Sequence, residues 1–383
     1  MCPTAGRAGV KLACVVGARP NFMKAAPLIR EMRAYPDIVP ILIHTGQHYD
    51  LSMAGRFFQD LELPTPDVSL NVGSGSHAQQ TADVMKRLEP AFAEQRPDMV
   101  VVVGDVNSTM AAALTAVKMH IPVAHVESGL RSFDRTMPEE INRIVTDAIA
   151  DYLFATEDSG RDNLLREGVD AGRIYLVGNV MIDSLEQYRP LWQASPVHER
   201  LSVAPGTYGV VTLHRPSNVD DGPVLERLIT ALRDVSAAIP LIFPVHPRTR
   251  LRLESMNGAT ISACGTNADR TRSALRLIEP LGYFDFLALV ARARIVLTDS
   301  GGLQEETTAL GVPCLTLREQ TERPITVTCG TNHVVGTTPE KIVAQARRVL
   351  DGGGRAASRP YLWDGKASQR IVRVLHGVLA ASR

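Results

Sequence analysis

The sequence predicts an α/β protein of two doubly wound, Rossmann-like domains, and three observations carry that expectation. The chain has 383 residues, more than one ordinary core accommodates and enough for two domains of roughly two hundred residues or somewhat fewer. Short, wholly apolar runs alternate with stretches whose apolar residues recur at helical spacing. Small or charged residues gather where those runs stop, and in an open parallel sheet that carboxyl edge is where ligands bind.

Lys11 to Gly17 reads as the first strand, followed by the turn Ala18-Arg19-Pro20-Asn21 and a helix with Phe22, Ala25, Leu28, Ile29 and Met32 on one face. Ile41 to His44 is the next strand and ends in Thr45-Gly46-Gln47-His48. Met99 to Gly104 is apolar throughout, as a central parallel strand covered on both faces must be, and stops at Asp105. Pro122 to Val126 stops at Glu127, and Tyr152 to Ala155 and Ile174 to Val177 continue the alternation. From Trp192 to Pro205 the alternation lapses into Pro and Ser, which places a boundary between domains 1–195 and 196–365. It resumes with Tyr208 to Leu213 before His214-Arg215-Pro216, a helix over 221–238, and Leu241 to Val245 before His246. Ile295 to Leu297, Pro313 to Thr316, a helix near 339–350 and a last helix over 366–383 complete the pattern.

Composition excludes several classes of function. With 41 basic and 41 acidic residues the formal net charge is zero, so no overall field draws nucleic acid or an anionic membrane, and any anion must be met locally. The five cysteines form no C-x-x-C pair, and Cys14 and Cys314 lie in apolar runs, which predicts free buried thiols in a reducing cytosol. No apolar run approaches membrane-spanning length, and Met1 to Gly9 lacks a signal-type apolar core; a cytoplasmic protein is expected. No His, Cys or acidic residues stand at metal-ligand spacing. Gly73-Ser74-Gly75-Ser76 neither follows a strand nor completes a dinucleotide fingerprint, so neither a metal nor a cofactor is expected.

The strongest single signal is Leu297-Thr298-Asp299-Ser300-Gly301-Gly302-Leu303-Gln304-Glu305-Glu306, a strand feeding a helix N-terminus through a small polar turn. Such a terminus presents unpaired N–H groups and partial positive charge, and the two glycines let a phosphate approach the backbone. One turn in, Glu305 or Glu306 is placed to accept from ribose hydroxyls, so the segment reads as a nucleotide diphosphate seat. The first half offers acids: Asp105 and Glu127, each ending a buried strand, then Asp134 and Glu139-Glu140. A buried-strand carboxylate needs a partner or a job, whereas Glu140, at a helix start after Pro138, reads as a dipole partner. Basic candidates are Arg19, Lys24, His214, Arg215, His246 and Arg323; Lys24 also reads as a solvated helix charge, and His44 and His125 as satisfied core histidines.

Taken in order, Gly17-Ala18-Arg19-Pro20, Thr45-Gly46-Gln47-His48, Gly104-Asp105, His125-Val126-Glu127-Ser128-Gly129-Leu130-Arg131, Pro138-Glu139-Glu140-Ile141-Asn142-Arg143, Gly178-Asn179, His214-Arg215, Pro244-Val245-His246-Pro247, Asp299 to Glu306 and Thr321-Glu322-Arg323-Pro324 form a highly specific set. On these motifs the chain, from about Val10 to the last helix, resembles the non-hydrolysing UDP-N-acetylglucosamine 2-epimerases, two-domain proteins of the GT-B fold with a cleft between the domains. The resemblance implies reversible inversion at C2 of UDP-GlcNAc to UDP-ManNAc, through 2-acetamidoglucal plus UDP and re-addition. It implies Asp105, Glu127 and Glu139 as catalytic acids and His214 as the group steadying the departing UDP. Ser300, Gly301 and Gly302 would hold the diphosphate, Glu306 the ribose and Phe286 the uracil face, with Arg19, Lys24 and Arg323 as further substrate contacts. Gln47, His48, Arg215 and His246 would meet an activating second UDP-GlcNAc. A homodimer is implied, and a last helix packed back on the first domain. Pro216-Ser217, Leu281 and Asp50 depart from the family's usual residues. The segment Arg131 to Met137 is short, as in relatives acting on UDP-2,3-diacetamido sugars or their uronic acids. That substrate class is the alternative within enzymes. Outside them the alternative is a catalytically silent UDP-sugar sensor.

Overall fold

The computed structural model describes residues 9–46, 63–255, 274–354 and 358–381. The chain divides into two compact units, Met1–Glu186 with Tyr361–Arg383, and Gln187–Pro360. These divisions fall ahead of the expected boundaries at 195 and 365, because the Pro- and Ser-containing stretch forms short helices that belong to the second unit.

The first unit is built on strands β1 (Val10–Val16), β2 (Ile38–His44), β3 (Val68–Ser69), β4 (Met99–Val103), β5 (Val123–Ser128), β6 (Tyr152–Ala155) and β7 (Ile174–Leu176). They pair in parallel in the order β3-β2-β1-β4-β5-β6-β7. Between them run helices α1 (Arg19–Met32), α2 (His77–Gln95), α3 (Asn107–Lys118), α4 (Pro138–Ile149), α5 (Asp158–Arg166) and α6 (Val180–Gln187). Ala13, Val15, Val100 and Val102 pack with Val84, Leu88 and Phe92 of α2 and Ala112 and Ala116 of α3. The alternate residues Leu12, Cys14, Val101 and Val103 are buried as well. Both faces are therefore covered, which is why β1 and β4 carry unbroken apolar runs.

The C-terminal helix, Ala367–Ala381, packs on α1 in this same unit. Asp183 of α6 accepts from the backbone N–H groups of Ala367 and Ser368 at 3.0 and 2.6 Å, satisfying donors that a helix start leaves open. Trp363 donates its indole N–H to the Thr156 carbonyl at 3.2 Å. Gly178, at φ +87°, permits the close passage of this segment: a Cβ there would stand 2.0 Å from the Leu362 carbonyl oxygen.

The second unit repeats the plan with β8 (Gly209–Thr212), β9 (Leu241–Pro244), β10 (Leu275–Ile278), β11 (Ile295–Thr298), β12 (Cys314–Thr316) and β13 (Asn332–Val334), in the parallel order β10-β9-β8-β11-β12-β13. Its helices are α7 (Arg189–Gln193), α8 (Val197–Leu201), α9 (Pro216–Val219), α10 (Gly222–Ser236), α11 (Pro247–Ser255), α12 (Tyr283–Ala291), α13 (Gly301–Leu310), α14 (Ile325–Thr328) and α15 (Pro339–Leu350). Val211, Ile295 and Leu297 join a core with α10 and α15, and Tyr208, Val210 and Val296 join another with α12.

In each sheet the strand order reverses once, between β1 and β4 and between β8 and β11. Beyond the carboxyl ends of such strands lies the crevice where doubly wound sheets bind ligands. No helix among the described residues is long and apolar enough to cross a membrane.

Candidate active site

At the switch point of the first unit, Asn21 ties the two central strands together. Its Oδ1 accepts from the N–H groups of Gly17 and Ala18, and its Nδ2 donates to the Val103 carbonyl at 2.8 Å. Gly104 then turns the chain at φ +70°, and Asp105 follows. The Asp105 carboxylate receives Nε and Nη2 of Arg143 at 2.9 and 2.6 Å. Arg143 also donates to Glu140 at 2.7 Å, and Glu140 in turn accepts from Ser132 N, Ser132 Oγ and Phe133 N.

Glu127 is the extra residue of a bulge: β5 pairs Val126 with Phe154 and then Ser128 with Ala155. Its φ is +73°, a conformation that costs an L-residue roughly 1–2 kcal/mol. The buried Lys24 ammonium ion-pairs with its carboxylate. Just behind, His125 Nδ1 meets Asp147 Oδ1 at 2.7 Å and His125 Nε2 meets the Gly104 carbonyl at 2.8 Å. Burial pushes the Asp147 carboxyl up, but His125 and Arg131 outweigh it and hold the group below the usual carboxylate value.

At the switch point of the second unit, Ser300 caps α13, its hydroxyl accepting from Leu303 N at 3.4 Å. Gly301 makes room for the ion pair laid against it: a Cβ there would be 2.6 Å from Arg323 Nη1 and 2.8 Å from Glu322 Oε1. Arg323 pairs with Glu322 and, at 2.7 Å through Nε, with Glu305; Arg318 reaches Glu322 at 2.9 Å. Asp299 is fully buried and accepts from the backbone N–H groups of His214 and Arg215 and from Asn218 Nδ2. It also holds His214 Nδ1 at 3.0 Å, which leaves Nε2 of a 44% exposed side chain for a ligand. Burial raises the Asp299 carboxyl, yet His214 and the Arg215 and His214 amides more than offset this and hold it low.

The expected site residues thus collect in two groups. Asp105, Glu127 and Lys24 stand together in the first, with Glu139 half-buried in the first turn of α4. Lys24 is a buried ion-pair partner and not a solvated helix charge. Glu140 is no mere dipole partner either, since its carboxylate is buried and organises the Ser132–Phe133 backbone. His125 is satisfied in the core, as one reading expected. In the second group, His214, Ser300, Gly301, Gly302 and Arg323 gather around the start of α13. Glu306 is buried and accepts from the Tyr283 hydroxyl at 3.2 Å, and Phe286 is half-buried against the apolar cluster beneath α12. Arg215 Nη2 lies 3.8 Å from Glu322, and His246 is exposed just past β9. The Arg19 side chain, Gln47 and His48 lie outside what the structure describes. Sequence reasoning missed Asn21, Arg143, Asp147, Tyr283 and Glu322; the one linear hint was the polar spacing Glu140, Arg143, Asp147 along α4, a face that is buried.

A family model described as UDP-N-acetylglucosamine 2-epimerase matches residues 30–376. The chain is 41% identical over 373 residues to a UDP-N-acetylglucosamine 2-epimerase from Methanocaldococcus jannaschii, covering 96% of this chain and 99% of the relative. It is 38% identical over 364 residues to a UDP-2,3-diacetamido-2,3-dideoxy-D-glucuronate 2-epimerase from Pseudomonas aeruginosa, covering 91% and 98%. Among solved structures, the Methanocaldococcus jannaschii UDP-GlcNAc 2-epimerase in complex with UDP-GlcNAc and UDP matches with a TM-score of 0.87 at 40% identity, over 96% of this chain and 99% of that one.

Proposed function

The chain belongs to the UDP-N-acetylglucosamine 2-epimerase family, and on that premise we propose that its two switch-point sites divide the work of one reaction, the reversible conversion of UDP-GlcNAc to UDP-ManNAc. The second unit holds UDP: α13 N–H groups and Arg323 on the diphosphate, Glu306 on the ribose, Phe286 against the uracil. The first unit supplies the acids and bases that act on the hexose, Asp105, Glu127 and Glu139.

In this scheme the C2 proton passes to a carboxylate while the C1–O bond breaks, its electron pair leaving with UDP and a C1–C2 double bond remaining. His214, oriented through Asp299, donates to the departing phosphate oxygen. A proton then arrives on the opposite face of C2 and the UDP oxygen re-adds at C1. The observation that carries the reading is the pair of carboxylates ending β4 and β5, each set against its own cation, Arg143 or Lys24, at the sheet's ligand edge. Incubation with UDP-GlcNAc in deuterated water tests it: deuterium at C2 together with UDP-ManNAc is expected. Unlabelled substrate returned without product would leave a UDP-sugar sensor.

The Pseudomonas aeruginosa relative supports a second substrate reading, a UDP-2,3-diacetamido uronic acid; turnover measured across a panel of UDP-sugars decides between them. A cytoplasmic setting is supported by Cys14 and Cys314, buried free thiols of the kind a reducing compartment keeps. A homodimer is the assembly that the family resemblance implies. Light scattering of the purified chain checks it.

A further inference from the structure

We propose that Asp147 is a positioning residue that sets both β4- and β5-end carboxylates at once, by gripping the chain on either side of Glu127 and, through His125, the residue before Asp105. The inference rests on the reading that Asp105 and Glu127 move protons.

The geometry is specific. Asp147 Oδ1 takes Nδ1 of His125, two residues ahead of Glu127, and Oδ2 takes the N–H of Gly129, two residues after it, at 3.0 Å. Glu127 between these grips is a bulged residue at φ +73°, a conformation that an L-residue keeps only when its surroundings impose it. Gly129 is held from the other side by Asn163 Nδ2 on its carbonyl at 2.9 Å and lies flush on Gly160, where a Cβ would meet the Gly160 carbonyl oxygen at 2.2 Å. The second arm runs through the imidazole. His125 Nε2 faces the Gly104 carbonyl, an acceptor only, so it donates there at 2.8 Å and ties β5 to the turn that aims Asp105. Asp147, His125 and Arg131 are all buried, and Arg131 is pinned to both Asp147, at 2.7 Å, and Glu167. A clamp built this way has little freedom to drift, and a displacement of about 1 Å at a reacting group is enough to slow chemistry ~10²-fold.

The test is a double-mutant cycle on the full chain. Asp147→Ala is expected to lower kcat ~10²-fold with KM and UDP affinity within about threefold of the parent. Asp147→Asn, whose Oδ1 can still accept from Gly129 N–H while its Nδ2 donates to Nδ1 of a neutral His125, is expected to recover about tenfold of that loss. In a Glu127→Gln background Asp147→Ala is expected to cost only about a further tenfold, because the Glu127 arm has nothing left to position while the His125 arm still acts on Asp105. A kcat within about threefold of the parent for Asp147→Ala overturns the proposal, as does the full loss repeated in the Glu127→Gln background. Should Asp147→Ala fail to fold, Asn163→Ala, which loosens Gly129 from the other side, decides: a lowered kcat at unchanged KM supports the clamp, and an unchanged kcat sinks it. If instead Glu127→Gln and Asp105→Asn each retain full turnover, it is the assignment of the acids that fails.

Discussion

The two units share one topology and differ at the ligand edge: both carry ion pairs there, and the second adds an open helix start. In the first, the edge is made of buried charged side chains locked on one another: Glu127 on Lys24, Asp105 and Glu140 on Arg143, Asp147 on His125 and Arg131. In the second, a helix start capped by Ser300 and opened by Gly301 is joined by ion pairs of its own, Arg323 on Glu305 and Glu322 and His214 on Asp299. Fixed ionic groups suit proton transfer, in which a carboxylate must stand at a set place with a set charge. Amide donors and a guanidinium suit a diphosphate, which asks only for donors and positive potential. On the proposed reading, the same strand order serves catalysis at one end of the sequence and binding at the other.

Four experiments break or sharpen that contrast. The largest effect is expected from Asp105→Asn, which should lower turnover ~10²–10⁴-fold while UDP affinity, read by calorimetry, stays near the parent value. Loss of UDP binding instead would move Asp105 into the nucleotide site. Next is Arg143→Met. It removes the cation that the buried Glu140 and the Asp105 carboxylate share, and breaking such a pair costs about 3–5 kcal/mol. A urea titration read from Trp363, in a Trp192→Phe background so that only the first unit is reported, should show that drop. Gly301→Val should push Arg323 from the α13 start and weaken UDP by ~10–10² in Kd, the worth of about one charge-assisted hydrogen bond, with kcat at saturation little changed. The smallest effect tests the bulge: Glu127→Gly should unfold at about 1 kcal/mol higher stability than Glu127→Ala, because only glycine adopts a left-handed φ without cost.

The contrast also explains what the sequence disclosed. The second site is almost linear, since Asp299 to Glu306 supplies the strand end, the cap, the glycines and the acids within one turn and a helix. The central place of β4 was legible for a related reason: an unbroken apolar run marks a central parallel strand. The first site was legible only at its strand ends, Asp105 and Glu127. Its supports come from far along the chain, Arg143 and Asp147 from α4 and Lys24 and Asn21 from α1. Helix α4 also inverts the usual rule, burying Glu140, Asn142, Arg143, Thr146 and Asp147. Periodicity alone assigns such a face to solvent, and Glu140, at a helix start after Pro138, read as a dipole partner.

The return of the C-terminal helix onto α1 has a consequence for synthesis. Residues 187–360 form a contiguous unit, whereas the first unit is discontinuous and needs residues 361–383, which leave the ribosome after the whole of the second. The connectivity thus runs against the usual N-to-C order of domain folding: the second unit can mature on the nascent chain, while the first waits for Leu362 to settle on Gly178 and for Asp183 to find its two amides.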